Sequence, residues 1–298
     1  MNLTYFEVKE TSHLVDEFYH ISYTKEETPL KTTMIPYGVS GLTYIFGKGQ
    51  KTLNNNVETK LEKLVINGQF TKSYDFIVDE PGFSIGVNFK PTTLHKITNA
   101  DLSTFTNKNS SFKILNEQLS TNLEKIFLTY KEDKNLLFSK LEELFLTLKL
   151  TNNKKIEIVD ETLEMIKEEQ GLLSVNDLLK KVPFSQKTLE NNFKKMVGLT
   201  PSKYIRIQRF LNLMKKYENN KIDFKDLIYM YNYYDESHFA KDFKSFTSKL
   251  PKDYFTEDFS IMKEVLKKRK NTKIYKNIIS NNFIFTYKLS NSFGGNYN

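Results

Sequence analysis

The sequence predicts an α+β protein. An N-terminal antiparallel β-rich barrel or sandwich with covering helices comes first, and an all-α domain of two helix-turn-helix units joined by a long linker helix follows. Short runs rich in β-branched and aromatic residues occupy residues 1–105. From Ser110 onward, apolar residues recur every three or four positions, as on one face of a helix. Between residues 173 and 255, one amphipathic helix pattern occurs twice.

Length and composition restrict the class of protein. A chain of 298 residues exceeds what one small core usually holds, so two domains are expected. The absence of cysteine excludes disulfides, thiolate zinc sites and cysteine nucleophiles, and it is compatible with a reducing cytoplasm. No window holds the roughly 18 apolar residues of a membrane helix, and residues 1–20 lack a signal-peptide pattern. We therefore expect a cytoplasmic protein that does not associate with membranes.

The formal net charge of +8 is unevenly distributed. It is −4 over residues 1–170, +7 over residues 171–255 and +5 over residues 256–298. Positive charge concentrated on the candidate helix-turn-helix region suits a polyanion, because neutralised phosphates release condensed counterions. The alternative is general solvation by lysine, which makes up all but three of the basic residues.

The N-terminal region is interpreted as β structure with tight turns. Its runs of β-branched and aromatic residues are bounded by glycine and proline, as at Gly47, Gly49 and Pro81. Short strands at this spacing are typical of an antiparallel barrel or sandwich, which either holds a small ligand or is packed shut. The candidate strands are residues 32–35, 42–46, 64–66, 74–78 and 83–89.

A strongly apolar stretch covers residues 136–150. Its large side chains lie three and four positions apart, which predicts one amphipathic helix with a wide apolar stripe. The stripe either covers the end of the barrel or pairs with a second copy of the chain, so residues 110–150 are a candidate homodimer surface. The stripe consists of Leu137, Leu141, Leu144, Phe145 and Leu148.

The predicted linker is residues 151–155, TNNKK, which contain no apolar side chain. The β-rich sensing or assembly domain is then residues 1–150, and the helix-turn-helix domain is residues 156–255. Residues 256–298 are a basic, asparagine-rich tail, interpreted as a partly disordered end or as an accessory arm on phosphates.

The first helix-turn-helix unit has start and stop signals for each helix. Ser174 with Asp177 three residues later is the Ser-x-x-acid signal of a helix start. Pro183 ends that helix, Ser185 is placed to cap the recognition helix, and Gly198 ends it. The buried stripe of the recognition helix is expected to be Leu189, Phe193 and Met196.

The second unit repeats these signals. Asp223 opens its first helix, and Asn232 lies at the turn, where asparagine tolerates the left-handed conformation. Asp235 caps the second recognition helix. The buried stripe is expected to be Phe239, Phe243 and Phe246.

Thr200 and Pro201 start the helix that joins the two units. It is predicted to run to about Lys216 and to be roughly 24 Å long. A rod of this kind holds two recognition helices about one DNA turn apart, roughly 34 Å, so that both meet successive major grooves.

Two stretches resemble the DNA-binding domain of the AraC/XylS transcriptional regulators. They are VGLTPSKYIRIQRF at residues 197–210 and YYDESHFAKDFKSFTSKLPKDYF at residues 233–255. The N-terminal stretches IPYGVSGLTYIF, residues 35–46, and GVNFKP, residues 86–91, resemble a β-rich domain of uncharacterised function that precedes this DNA-binding domain in some family members. The residues in register are Ser237, Phe239, Phe243, Lys244, Pro251 and Tyr254.

The sequence departs from the family pattern at helix crossings and turns, where little space is available. Leu179 and Ile228 replace a usual alanine, Pro183 and Asn232 replace a usual turn glycine, and Ser248 replaces a common glycine. Larger residues at helix crossings imply compensating shifts in packing. The first unit is expected to be the weaker reader, because a proline at its turn changes how the recognition helix is presented.

The resemblance implies which side chains meet base edges. Asparagine pairs with adenine, glutamate accepts from cytosine and lysine donates to guanine. Asn191 and Lys241 occupy positions that are often arginine in the family, so bidentate guanine reading is weakened at both. The implied base-edge residues are Lys187, Glu190 and Asn191 in the first unit and Glu236, Ser237 and Lys241 in the second.

The resemblance also implies a set of phosphate contacts, which would orient the domain on DNA. The alternative for each base-edge residue is plain solvated surface. Arg206 and Arg209 have another interpretation, an internal salt bridge to an acidic residue such as Asp226 or Glu236, and this is the favoured one for Arg209. The implied phosphate contacts are Lys194, Lys203, Arg206, Lys244 and Lys252.

No catalytic, cofactor or metal site is predicted. The four histidines are not spaced as ligands, and no phosphate loop follows Gly49. Glu142 and Glu143 are adjacent, so on a helix they point in different directions and do not form a catalytic pair.

The sequence thus predicts a sequence-specific DNA-binding transcription regulator that is not an enzyme. Its expected partner is double-stranded DNA, the resemblance adds RNA polymerase as a second candidate, and the small-molecule effector is unknown. One alternative is a small-molecule-binding or enzymatic β-barrel whose C-terminal domain lacks specific DNA recognition. The other is a protein-interaction module that works through the helices of residues 110–150.

Overall fold

The computed structural model describes residues 1–220, 222–255 and 260–268. Its N-terminal strands are β1 (Asn2–Phe6), β2 (Val15–Tyr23), β3 (Leu30–Met34), β4 (Ser40–Phe46), β5 (Gln50–Asn54), β6 (Val57–Lys60), β7 (Lys63–Asn67), β8 (Tyr74–Val78), β9 (Gly82–Phe89) and β10 (Asn109–Ser111). They form two antiparallel sheets, with the orders β1-β2-β9-β4-β7-β10 and β3-β8-β5-β6. The predicted antiparallel β-rich domain is confirmed.

Helices cover one face of this domain and make up the C-terminal half. Helix α1 (Thr93–Thr98) lies between β9 and β10 in the chain, and α2 (Glu117–Tyr130) and α3 (Lys134–Thr147) follow β10. Those of the C-terminal half are α4 (Lys154–Glu168), α5 (Val175–Leu179), α6 (Gln186–Val197), α7 (Pro201–Asn220), α8 (Phe224–Met230), α9 (Glu236–Thr247) and α10 (Ser260–Lys268). The α+β class with a C-terminal all-α region agrees with the prediction.

The five predicted strands correspond to β3, β4, β7, β8 and β9, and the other strands were not predicted. Strand β5 joins β6 through Asn55 and Asn56, whose φ angles are 49° and 63°. A two-residue turn with both φ angles positive is the favoured hairpin connection, and asparagine adopts it more readily than most residues. The three consecutive asparagines at residues 54–56 are therefore a hairpin signal in the sequence.

The six-stranded sheet packs on α2 and α3 through one face. Phe18 stacks on Phe138, and Tyr44 stacks on Phe127. Three residues of the predicted stripe, Leu137, Leu141 and Phe145, are buried in this core. The stripe therefore covers the sheet of its own chain, and a homodimer seam made of these three side chains is excluded by their burial. The exposed apolar residues of α2 and α3 are Leu128, Leu136 and Leu146.

A buried carboxylate attaches α3 to the segment before β2. Glu142 Oε1 accepts hydrogen bonds from the backbone N–H groups of Lys9, Glu10 and Thr11 at 2.9 to 3.1 Å and from Thr11 Oγ1 at 2.9 Å. The neighbouring Glu143 is exposed and pairs with Lys140. The two glutamates point in different directions, as the sequence predicted.

The helix caps of the tandem units match their sequence signals. Ser174 and Asp177 form the predicted capping box of α5, and its hydrogen bonds lower the pKa of the Asp177 carboxyl to about 2. Ser185 accepts from Thr188 N at the start of α6, and Asp235 accepts from His238 N at the start of α9. The joining helix α7 has 20 residues and is about 30 Å long, one turn longer than predicted.

The two turns of the tandem units differ in their hydrogen bonding. In the second unit Asn232 has φ 56°, as predicted, and the Tyr233 N–H donates to Ile228 O at 3.0 Å. A left-handed residue followed by such a bond is a Schellman ending. In the first unit Pro183 has no N–H to donate, and residues 180–185 contain no positive φ. The recognition helices are thus presented by different turns.

The predicted tail contains a helix, α10, that was not predicted. Helix α10 lies inside the predicted tail and packs against α7 and β3. Met262 and Leu266 are fully buried, and Asn219 Nδ2 donates to Leu266 O at 3.2 Å. Residues 256–259 and 269–298, to which the rest of the tail prediction applies, lie outside the described residues.

Candidate nucleic-acid interface

Helices α6 and α9 have the same length and the same kinds of end. Each has 12 residues, an N-cap side chain that accepts from the backbone of the third helical residue, and a left-handed C-cap. The C-caps are Gly198, with φ 87°, and Ser248, with φ 63°, and they donate to Lys194 O and Lys244 O. The predicted stripes are buried in both helices. The opposite face of each helix is therefore oriented toward solvent.

The structure places most of the predicted base-edge residues on those faces. Lys187 and Asn191 of α6 are exposed, whereas Glu190 is half-buried and accepts a hydrogen bond from Gln186 Nε2 at 3.0 Å. Glu236, Ser237 and Lys241 of α9 are all exposed.

The predicted phosphate contacts divide into two groups. Lys194, Lys244 and Lys252 are exposed. Lys203 and Arg206, on α7, are half-buried and lie over the ring of Phe246, with 5.2 Å and 5.6 Å to its centroid. Burial of Lys203 is the main cause that lowers its pKa, and the neighbouring charge of Arg206 lowers the pKa further.

An ionic network attaches α9 to α7. Asp242, which is only 3% exposed, forms ion pairs with Arg206 and Arg209. The Tyr233 hydroxyl donates to Asp242 Oδ2 at 3.3 Å, and the Arg209 guanidinium lies 4.5 Å from the centre of the Tyr233 ring. The favoured internal salt bridge of Arg209 is present, but its partner is Asp242 rather than Asp226 or Glu236. Arg206 has the same partner, so it belongs to the network between α7 and α9.

Both recognition helices end on the β-rich domain. Thr106 Oγ1 donates to Gly198 O at 2.5 Å, and Ser73 and Ser248 join through their hydroxyls at 2.9 Å. Thr106 and Ser73 belong to two adjacent loops, residues 68–73 and 102–108. The C-terminal ends of α6 and α9 therefore contact the same corner of the β-rich domain.

Asn107 ties these two loops together. Its Oδ1 accepts from Thr71 N at 2.7 Å and from Thr71 Oγ1 at 3.0 Å, and its own N–H donates to Gln69 O. At Gly68 a Cβ atom would lie 2.0 Å from Phe105 O, so only glycine permits this approach. We call residues 68–73 and 102–108 the loop pair.

Further contacts join the β-rich domain to α4 and α7. Asp160 of α4 accepts from Thr92 Oγ1 and pairs with Lys96, both at 2.6 Å. The turn between β3 and β4 lies against α7, where Gly38 is close to Ile207 and Gln208. The φ angle of 70° at Gly38 accounts for this first glycine of the IPYGVSGLTYIF stretch.

A cavity of about 180 Å³ lies between the two sheets and α10. Tyr19, Tyr23, Thr43 and Gln50 line it from the strands, and Phe70 lines it from the loop pair. Its other side is closed by Ile261, Met262 and Val265 of α10. The cavity therefore touches both the loops that meet the recognition helices and a helix that packs on α7.

Sequence reasoning missed the residues of the cavity and of the domain contacts. Tyr19 and Tyr23 alternate with Phe18 and His20 along β2, a period-two signal for opposite faces of a strand. Nothing in the sequence shows that one face encloses a cavity. Thr106 and Asn107 have no sequence signal, because their partners are more than 30 residues away.

The described residues contain neither a candidate metal centre nor a membrane-spanning helix. Within residues 1–220, 222–255 and 260–268, no group of three or more histidines and acidic residues could hold a metal ion. Among the described helices, none has both the length and the apolar character needed to cross a membrane.

Comparison with known families matches both halves of the chain. Residues 178–257 match the model of a helix-turn-helix domain, and residues 9–111 match a domain of unknown function, DUF6597. No curated protein matches the chain.

The chain is also similar, at low identity, to several solved structures. An apo ToxT variant from Vibrio cholerae is 15% identical, with 80% of this chain and 97% of that chain covered and a TM-score of 0.45. Unsaturated fatty acid bound wild-type ToxT from the same organism is 14% identical, with 81% and 93% covered and a TM-score of 0.40. The AraC-like transcriptional activator CuxR is 12% identical, with 72% and 86% covered and a TM-score of 0.29.

The family match of residues 178–257 coincides with the two capped recognition helices and the joining helix, and the second match coincides with the β-rich domain. The expected resemblance is confirmed in both halves. The chain therefore carries an AraC-type helix-turn-helix domain over residues 178–257 and the domain of unknown function DUF6597 over residues 9–111.

Proposed function

We propose that this protein is a sequence-specific regulator of transcription that reads successive major grooves with α6 and α9. The observation that carries the proposal is the matched pair of recognition helices. Both are 12 residues long, present an exposed polar face that includes lysine, and are joined by a helix about 30 Å long. This length is close to one DNA turn, roughly 34 Å.

The exposed faces supply the chemistry for reading bases. Lys241 can donate to guanine, Ser237 can bond to any base edge, and Asn191 can pair with adenine. Lys194, Lys244 and Lys252 are placed for phosphates. The ionic network around Asp242 supports the second unit as the stronger reader, because it holds α9 in one orientation.

A salt-titrated binding assay tests the proposal. The full chain is titrated with duplexes from its own upstream DNA and with random duplexes of equal length. We expect binding to both to weaken with salt, and the specific duplex to keep an advantage of about a thousandfold or more. Equal binding to both at every salt concentration would overturn the proposal and favour the small-molecule-binding alternative. Selection from a random pool then reports the half-site spacing.

We propose further that a ligand in the cavity controls this DNA binding. Support comes from the position of the cavity, whose wall includes the loop pair residue Phe70 and α10 residues Met262 and Val265. A ligand that orders these groups would bias the ends of α6 and α9 and the side of α7 together. DNA affinity measured with and without a bound ligand tests this step.

Control by dimerisation through residues 110–150 is the other option for the N-terminal domain. Burial of the main stripe leaves four exposed large apolar side chains in this range, Ile114, Leu128, Leu136 and Leu146. Sedimentation of the full chain tests it, and a monomer at concentrations well above those of DNA binding would exclude it.

A further inference from the structure

The cavity between the sheets has an uncharged lining. Among the described residues that line it, none has a charged side chain. Its polar groups are phenols, amides and hydroxyls, including Tyr19, Tyr23, Gln50, Thr43 and Asn88. Burial raises the pKa of the Tyr19 hydroxyl to about 12, and burial also raises the pKa of Tyr23. The tyrosines are therefore neutral hydrogen-bonding groups at physiological pH.

Two of these groups have unused hydrogen-bonding capacity. The Tyr23 hydroxyl and Gln50 Nε2 are buried and have no hydrogen-bond partner among the described residues. Both residues are only 3% exposed. Gln50 Oε1 already accepts from Ser84 Oγ at 2.8 Å, which fixes the orientation of the amide and leaves Nε2 as a donor. Buried polar groups normally find a partner, so these two groups, one on β2 of the first sheet and one on β5 of the second, point to a polar group that binds in the cavity between the sheets.

The rest of the lining is apolar, with Ile21, Ile45, Val65 and Phe76 on the strands and Met262 on α10. A cavity of about 180 Å³ exceeds the roughly 150 Å³ apolar cavity that accommodates benzene in another protein. One ring with a short substituent therefore fits. A carboxylate or an ammonium group does not, because no described lining residue carries an opposite charge to offset its desolvation.

We infer that this cavity is a binding site for a small, uncharged, ring-sized ligand that carries a hydroxyl or carbonyl group, bonded by Tyr23 and Gln50. The inference deepens the ligand-control part of the proposed function by naming the class of ligand. A hydroxyl can both donate and accept, so it can satisfy Gln50 Nε2 and the Tyr23 hydroxyl together.

The test uses three probes of one shape and the full-length protein at pH 7, without DNA. They are 4-ethylphenol, which is neutral and polar, ethylbenzene, which is apolar, and 4-ethylbenzoate, which is anionic. Calorimetric titration is expected to show 4-ethylphenol binding about tenfold more tightly than ethylbenzene, and 4-ethylbenzoate weakest of the three. Binding of 4-ethylbenzoate at least as tight as that of 4-ethylphenol, or no binding of any probe up to its solubility, overturns the inference.

Two near-isosteric variants locate the site. Tyr23→Phe and Gln50→Leu each remove one polar group, so each should weaken 4-ethylphenol binding about tenfold and leave ethylbenzene binding unchanged. Tyr44→Phe is the control, because Tyr44 lies in the core between the sheet and α2 and does not line the cavity. Unchanged 4-ethylphenol affinity in both cavity variants overturns the assignment.

These measurements are independent of DNA recognition. If the probes bind as expected but specific DNA binding is absent, the ligand site stands and the proposed regulator does not. If DNA binding is specific and the probes fail, only the ligand class is lost.

Discussion

The proposed base-edge side chains Lys241 and Asn191 extend from recognition helices that are anchored in different ways. Lys241 extends from α9, which Asp242 binds to Arg206 and Arg209 of α7. Asn191 extends from α6, which follows a turn without a left-handed residue. A side chain reads a base only if its helix is held in one place, so Lys241 should contribute more to specificity.

Lys241→Ala should weaken binding to the specific duplex about tenfold or more, and Asn191→Ala should weaken it less. One good base-edge contact is worth about 1–3 kcal/mol of discrimination. The measurement is the ratio of specific to random-duplex affinity at fixed salt. As a control, Lys244→Ala should weaken both duplexes alike and reduce the salt slope by about 1. A larger loss for Asn191→Ala than for Lys241→Ala would reverse the ranking of the two units.

Glu142→Ala should lower the free energy of unfolding by about 3 kcal/mol, since it leaves four buried or half-buried donors without their acceptor. Urea denaturation of the full chain measures the change. Glu143→Ala is the matched control on the same helix, and its loss should be much smaller because that side chain is exposed. Similar losses for the two variants would mean that the hydrogen bonds of Glu142 contribute little.

At the scale of elements, the second unit depends on how α9 is attached to α7. Apolar packing supplies most of the contact, with Phe210 against Phe243 and Phe246. Asp242 adds directional interactions to this apolar packing, because its carboxylate forms two ion pairs and accepts a hydrogen bond from the Tyr233 hydroxyl. Capping signals and apolar spacing predicted both helices, but they did not reveal this attachment, since the acid and its arginines are more than 30 positions apart.

Asp242→Asn should destabilise the protein by about 2 kcal/mol and weaken specific DNA binding. Breaking a fully buried ion pair costs about 3–5 kcal/mol. We expect a smaller loss of stability here because the Arg206 side chain is 40% exposed, so solvent screens its charge. Thermal unfolding and DNA titration check the two effects. Asp226→Asn, on the exposed side of α8, should change neither. If DNA binding survives Asp242→Asn unchanged, the network does not position α9.

At the scale of the whole molecule, the β-rich domain meets the ends of both recognition helices through one pair of loops. Gly198 and Ser248 each bond to the loop pair, and Asn107 joins the two loops. The cavity lies behind the same loops. A ligand effect on DNA binding would therefore pass through a small number of hydrogen bonds.

Asn107→Gly tests this connection. The φ angle of 60° at Asn107 suits glycine, so the change removes the side-chain bonds to Thr71 and keeps the backbone. We expect 4-ethylphenol to bind the variant as it binds the native chain, while its effect on specific DNA affinity is largely lost. Equal ligand effects in the two proteins would show that coupling runs elsewhere, for example through α10.

The sequence by itself determined the local features of this protein. Serine and aspartate caps, proline and glycine stops and apolar spacing act over a few residues, and they placed α5, α6, α8 and α9 and five strands. The tertiary structure alone decided which surfaces meet. It buried the α3 stripe inside its own chain, gave Arg206 and Arg209 one shared partner in Asp242, and formed a cavity between the sheets and α10 whose described lining residues carry no charge. These depend on contacts between residues far apart in sequence, and no local pattern encodes them.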